Sequence, residues 1–244
     1  MPTVHSVEDA SAVAESVAQR TVKFLADAIA TRGEAIWVLA GGTIPPAAGA
    51  LIASNYRSEV NWSKVSFVIG DERCVPFDYP ESSWRAFEQD VFPLLPSIDP
   101  RRLLRPPSDQ PADDAAKAYE RTLRQLPKAR TGAPRFDLVW LGMGEDGHTL
   151  SLFPDHDSFR PSSRLVIPVY NSPKPPSDRI SLTLNALSGA EACIVIAAGA
   201  GKAEAIKDSI NGDGMLPVAK AAEMVEASGG ETIWLLDVAA ASLL

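Results

Sequence analysis

Cysteine is nearly absent from the 244-residue chain, Cys74 and Cys193 being its only two. They fall on separate predicted elements and no Cys/His spacing of the zinc-binding kind accompanies them, so both read as reduced thiols near the core. Histidine is almost as scarce, with three residues. Without an H-E-x-x-H pair the chain lacks a ligand set for metal-assisted hydrolysis. A G-x-S-x-G elbow is also missing, which argues against a serine hydrolase. No apolar run approaches the roughly 18 uninterrupted residues of a membrane span, and the N-terminus lacks the basic region and apolar core of a signal peptide. A cytoplasmic location is therefore expected. Positive charge is in deficit, with a net charge of −8 and a pI near 5.0. That balance argues against nucleic acid or an anionic membrane as partner. An anionic small substrate would need a local cationic pocket.

Apolar residues make up 45% of the chain and five are Trp, enough for a sizeable core, and the length suits one large α/β domain over residues 1–244. Five short apolar runs bounded by turn residues read as buried strands: Ala35–Ala40, Val65–Ile69, Phe136–Leu141, Ala192–Ala198 and Ile233–Leu236. Leu165–Tyr170 reads as a further strand, and Arg179–Leu184 alternates like a strand buried on one face. Helical patterns lie between them. The first is opened by Ser6 with Asp9 three residues on and closed by Gly33; others run to about Tyr56, from about Asp109 to Leu126, from Lys202 through Ile210, and from Pro217 to about Ala227. Pro80 to Pro111 reads as irregular, with Arg101, Arg102 and Arg105 facing solvent. Strands alternating with helices predict a mostly parallel sheet covered on both faces.

The chemistry gathers where strands meet glycine. Phe136–Leu141 runs into Gly142, Gly144 and Gly147, with Asp146, His148 and Thr149 beside them. On spacing alone this is G-x-G-x-x-G, but a dinucleotide turn needs a long helix next and a carboxylate about 20 residues on. Pro154 cuts the helix short, and Leu165–Tyr170 ends in Asn171. Elsewhere the Gly41-Gly42-Thr43 turn precedes a helix N-terminus and offers free N–H groups to an anion. Asp71-Glu72-Arg73 puts three charges at the end of a buried strand, Arg179 stands at the entrance of another, and Lys202 follows Gly199 and Gly201. This last segment lacks the first glycine and the hydroxyl of a Walker loop. If these positions converge, they surround a doubly charged phosphate beside a histidine. His148 is the best general base in the chain; His5 is terminal, and His156 sits in a turn between Asp155 and Asp157.

Gly142 to Pro154, as G-x-G-x-D-G-H-T-x-S-L-F-P, resembles the signature of the 6-phosphogluconolactonase family, relatives of the glucosamine-6-phosphate deaminases. The resemblance extends to Gly41–Pro45, Asp71-Glu72-Arg73 with Val75-Pro76, Arg179, Gly199–Lys202 and Leu216-Pro217. It implies a three-layer α/β/α sandwich of the deaminase/ribose-phosphate isomerase type, a modified Rossmann fold with a mostly parallel sheet. The implied activity is hydrolysis of 6-phospho-D-glucono-1,5-lactone in the oxidative pentose phosphate pathway, with no metal or organic cofactor, by a monomer or small homo-oligomer. Carried over by position, His148 would activate water and Asp146 would order its loop. Arg73, Arg179 and Lys202 would hold the phosphate with the Gly42-Thr43 turn, and Asp71 and Gly144 would complete the substrate-binding set. Two departures stand out. Leu150 replaces the usual alanine and is expected to reshape the pocket floor. Glu81-Ser82-Ser83-Trp84-Arg85 stands where the family commonly has Ser-Asn followed by an aromatic residue, and with that amide removed little weight falls on Ser83 as a ligand contact. Two alternatives are a deaminase/isomerase, whose central loop would end in a carboxylate where Leu152-Phe153-Pro154 stands here, and a non-catalytic sugar-phosphate sensor.

Overall fold

The five apolar runs become the five central strands of one parallel sheet. In the computed structural model, which describes residues 3–244, the first half of the chain runs β1 (Thr3–Val7), α1 (Ala10–Arg32), β2 (Ala35–Leu39), α2 (Ile44–Leu51), β3 (Val65–Ile69), β4 (Asp71–Arg73), α3 (Ser83–Asp90), β5 (Leu103–Leu104) and α4 (Ala112–Leu123). It continues through β6 (Leu138–Gly142), β7 (Val166–Val169), β8 (Arg179–Leu182), α5 (Leu184–Leu187), β9 (Ala192–Ala197), α6 (Ala203–Asn211), α7 (Pro217–Ala227) and β10 (Glu231–Asp237). The seven-stranded sheet has the order β1-β10-β9-β6-β2-β3-β5, and every pairing in it is parallel. Helices flank it, α1 packing with α2 and against β2 and β10, and α7 packing against β9 and β10. Its interior is dry: every residue of β2, β3 and β9 is buried. Trp37 and Trp140 meet edge to face across β2 and β6, with centroids 4.6 Å apart, an arrangement favoured by the ring quadrupole.

Three local expectations change. The N-terminal helix is capped by Asp9, whose Oδ1 accepts from Ala12 N at 2.9 Å, and Ser6 belongs to β1, an edge strand paired with β10. The Pro80–Pro111 segment contains α3, whose cap is Ser82, accepting from Arg85 N at 3.2 Å. Of the three arginines read as solvent-facing, Arg101 and Arg105 are exposed, while Arg102 is half-buried, its Nη1 3.2 Å from Glu34 and 3.0 Å from Ser66 Oγ.

The charged triplet after β3 is itself a strand. β4 pairs antiparallel with β8, and β8 with β7, in a second, three-stranded sheet. The alternation along β8 does not separate a core face from a wet one, because all four of its residues are buried. Its polar positions, Arg179 and Ser181, face other polar groups rather than water: Ser181 Oγ accepts from Ser151 N at 3.1 Å.

Candidate active site

In the large sheet β2 and β6 are neighbours, yet the chain leaves β2 toward β3 and leaves β6 toward β9. Loops that diverge at the carboxyl ends of adjacent strands open a crevice, the place where open α/β sheets take ligands. A cavity of about 200 Å³ lies here. The turn after β2 lines it with Gly42 and Thr43, β4 with Asp71 and Arg73, the loop after β6 with Met143, His148 and Leu150, β8 with Arg179, and the segment after β9 with Lys202. Five stretches far apart in sequence thus meet, four because β9, β6, β2 and β3 lie side by side and end on one edge, and β8 because it pairs with β4.

The loop after β6 turns at once instead of entering a long helix, with only the 3-10 turn Asp157–Phe159 before β7. His148 donates through Nδ1 to Asp146. An ionised carboxylate can only accept, so Nδ1 carries the proton and the lone pair of the neutral ring is left on Nε2. The ring packs on Phe153 with centroids 4.6 Å apart. Burial pushes the His148 pKa down, and this outweighs the opposing pull of Asp146; Lys174 pushes it down further. Burial raises the Asp146 pKa, but the hydrogen bond and charge of His148 outweigh it, so the net shift is downward. The pair is therefore set as neutral imidazole beside carboxylate at pH 7. Gly144 does not line the cavity. It stands behind the pair, where an added Cβ would lie 2.0 Å from His148 Nδ1 and 2.3 Å from Asp146 Oδ1.

Arg73 and Arg179 are direct cross-strand partners in the β4–β8 ladder, so both side chains leave the small sheet on one face and enter the cavity wall. Arg179 is nearly saturated by protein: Nε donates to Pro176 O at 3.0 Å, Nη2 to Lys174 O at 2.9 Å and Nη1 to Ser151 Oγ at 3.4 Å. Asp71 lies 3.9 Å from its Nη1 and accepts from Ser151 Oγ at 2.6 Å. Burial lowers the Arg179 pKa, as does Arg73, against the pull of Asp71. Arg73 is less committed. Its Nη1 donates to Glu81 O, while its Nε is buried with no hydrogen-bond partner.

Lys202 comes from the short 3-10 turn Ala200–Lys202 that leads into α6; its Nζ donates to Met143 O, and burial lowers its pKa. Gly42 has φ +99°, a conformation in which a Cβ is strained, and the hydroxyl of Thr43 caps nothing at the start of α2. Pro45 and Pro46 open that helix and carry no N–H, so an anion there meets the Gly42-Thr43-Ile44 amides and the Thr43 hydroxyl rather than a full helical turn. Leu150 lines the cavity with φ +54°, a backbone conformation uncommon for a residue that carries a side chain. Ser83 also lines it. Ser151 is a fixed position of the motif running from Gly142 to Pro154, but its role follows only once β4 and β8 meet beside it. Among the described residues no group of three or more His, Cys, Asp or Glu is arranged to hold a metal ion, and no helix is long and apolar enough to cross a membrane.

The family described as glucosamine-6-phosphate isomerases/6-phosphogluconolactonase matches residues 8–234. The chain is 38% identical to a 6-phosphogluconolactonase of Streptomyces coelicolor, over 97% of this chain and 92% of the relative. It is 35% identical to a 6-phosphogluconolactonase of Homo sapiens, over 98% of this chain and 91% of the relative. The solved 6-phosphogluconolactonase of Trypanosoma cruzi superposes with a TM-score of 0.86, covering 100% of this chain and 97% of that one, at 24% identity, a likeness of fold. With its parallel sheet, its histidine loop and this full-length similarity, the chain belongs to the glucosamine-6-phosphate isomerase/6-phosphogluconolactonase family.

Proposed function

We propose that this protein hydrolyses 6-phospho-D-glucono-1,5-lactone to 6-phospho-D-gluconate, the hydrolytic step of the oxidative pentose phosphate pathway, acting as one domain in the cytoplasm. The observation that carries this reading is one cavity lined by His148, Arg73, Arg179 and Lys202, a neutral base beside a cationic wall. In the proposed reaction Nε2 of His148 takes a proton from water as the water oxygen attacks the lactone carbonyl carbon. Asp146 holds the imidazole in the required tautomer and stabilises the imidazolium that forms. The carbonyl oxygen becomes an oxyanion, which N–H groups of the glycine turns can receive. The bond from the carbonyl carbon to the ring oxygen then breaks, the ring oxygen leaving as a hydroxyl with a proton that balances the one His148 took from water, and the new carboxylic acid gives up its remaining proton to solvent to end as a carboxylate. Arg73, Lys202 and the Gly42-Thr43 turn bind the phosphate, with Arg179 contributing charge from its fixed position. Anchoring the far end of the substrate brings the carbonyl to the base, which is catalysis by positioning.

The test is release of 6-phosphogluconate from freshly prepared 6-phosphogluconolactone, compared with spontaneous hydrolysis. Turnover well above background is expected, and a rate equal to background would discard the lactonase reading.

A second expectation concerns pH. Because burial lowers the His148 pKa from its ordinary 6.5, the ring should titrate below that value and remain a competent base on the acid side of neutrality. NMR titration of its ring protons in the free enzyme, assigned against His148→Ala, reads this without interference from the substrate phosphate. A midpoint at or above the ordinary value would mean that Asp146 dominates over burial.

A further inference from the structure

The start of α3 is already occupied by an anion from within the protein. The carboxylate of Glu72, on β4, accepts from Ser83 N at 2.8 Å, Trp84 N at 2.7 Å, Ser82 Oγ at 3.0 Å and Arg73 N at 2.8 Å. These bonds use the first backbone donors of the helix and the hydroxyl of its cap. The hydroxyl of Ser83 is left over. Ser83 is 6% exposed, its Oγ has no hydrogen-bond partner, and the residue lines the cavity.

Its neighbours point to what it serves. A Cβ added at Gly41 would lie 2.4 Å from Ser83 Oγ, so the hydroxyl rests against the glycine turn after β2. Arg73 lines the same cavity and reaches back to Glu81 O, two residues before Ser83, and its Nε is another buried donor without a partner. A buried donor without a partner is costly and rarely kept unless a ligand completes it. Two such donors beside a turn with free amides make a site for tetrahedral oxyanions, and a short hydroxyl fits there against a glycine that leaves no room for more.

Building on the lactonase reading above, we propose that Ser83 is a phosphate-binding residue whose hydroxyl donates to a phosphoryl oxygen of the substrate beside Arg73 Nε. Its preference is for the phosphorylated end of the substrate, not for the lactone carbonyl.

The experiment is Ser83→Ala in the full-length enzyme, assayed with 6-phosphogluconolactone and with unphosphorylated glucono-1,5-lactone, and with inorganic phosphate as competitive inhibitor. Loss of a hydrogen bond to a charged group predicts a rise of about 10-fold or more in KM for the phosphorylated lactone and a similar weakening of phosphate inhibition. Hydrolysis of the unphosphorylated lactone should be unchanged. The melting temperature should be unchanged or higher, since the variant removes an unpaired buried group. Unaltered KM and unaltered phosphate inhibition would overturn the proposal, as would an equal loss with both lactones or a loss of stability, either of which marks a structural serine. If the wild-type enzyme fails to hydrolyse the lactone at all, calorimetric titration with inorganic phosphate still decides the point: weaker binding by Ser83→Ala supports the phosphate site, and equal binding overturns it.

Discussion

His148→Ala is expected to lose at least about 100-fold in kcat, the lower range for removal of a general base. The effect should fall on kcat rather than KM, because the phosphate-binding groups come from β4, β8 and the turns after β2 and β9, and none depends on the imidazole. Stability should change little: the His148 side chain keeps 15% of its surface, and its partner Asp146 is 38% exposed and can be rehydrated. The comparison requires single-turnover or steady-state rates corrected for spontaneous hydrolysis, together with a melting curve. Near-normal kcat in a folded variant would remove His148 as the base.

Gly144→Ala is expected to be nearly as damaging without touching the substrate. The new methyl would be placed 2.0 Å from His148 Nδ1 and 2.3 Å from Asp146 Oδ1, far inside van der Waals contact. Because the obstructing groups are side chains on a partly exposed loop, they can swing aside, and the fold should survive. The ring, however, would leave the position from which it addresses the carbonyl, and misplacement by about 1 Å costs on the order of 100-fold. A kcat reduced by about that factor, with KM and melting temperature close to wild type, is the expected pattern. A variant with normal kcat would show that the ring is not held where the glycine leaves room for it.

Much of this was open to reading because two signals coincide in the chain: glycine-bounded apolar runs and polar residues immediately after them. Runs buried on both faces carry a strong composition signal, and they are the five central strands. The edges were not legible. β1 is exposed or half-buried along its length, and β5 has two residues, too few for any periodicity. α3 was hidden by flanking prolines, although Ser82 carries an ordinary cap signal. Arg73, Arg179 and Lys202 could be named as cations near strand ends, but their meeting depends on sheet order, which no local pattern encodes. Ser83 and Ser151 are the clearest cases. Ser151 stands inside the glycine and histidine motif and Ser83 in a stretch that departs from the family pattern, yet each acquires a role only through a partner far along the chain, as Ser151 does through Asp71.

The opposition of Arg73 and Arg179 across the β4–β8 ladder has an energetic meaning for the empty protein. Like charges placed directly across a ladder repel, and Asp71 lies against the Arg179 side. A dianion received between the two guanidinium groups converts that repulsion into a pair of attractions. On the proposed reading, part of the affinity for a phosphorylated ligand comes from neutralising a repulsion that the backbone register sets up before any ligand arrives.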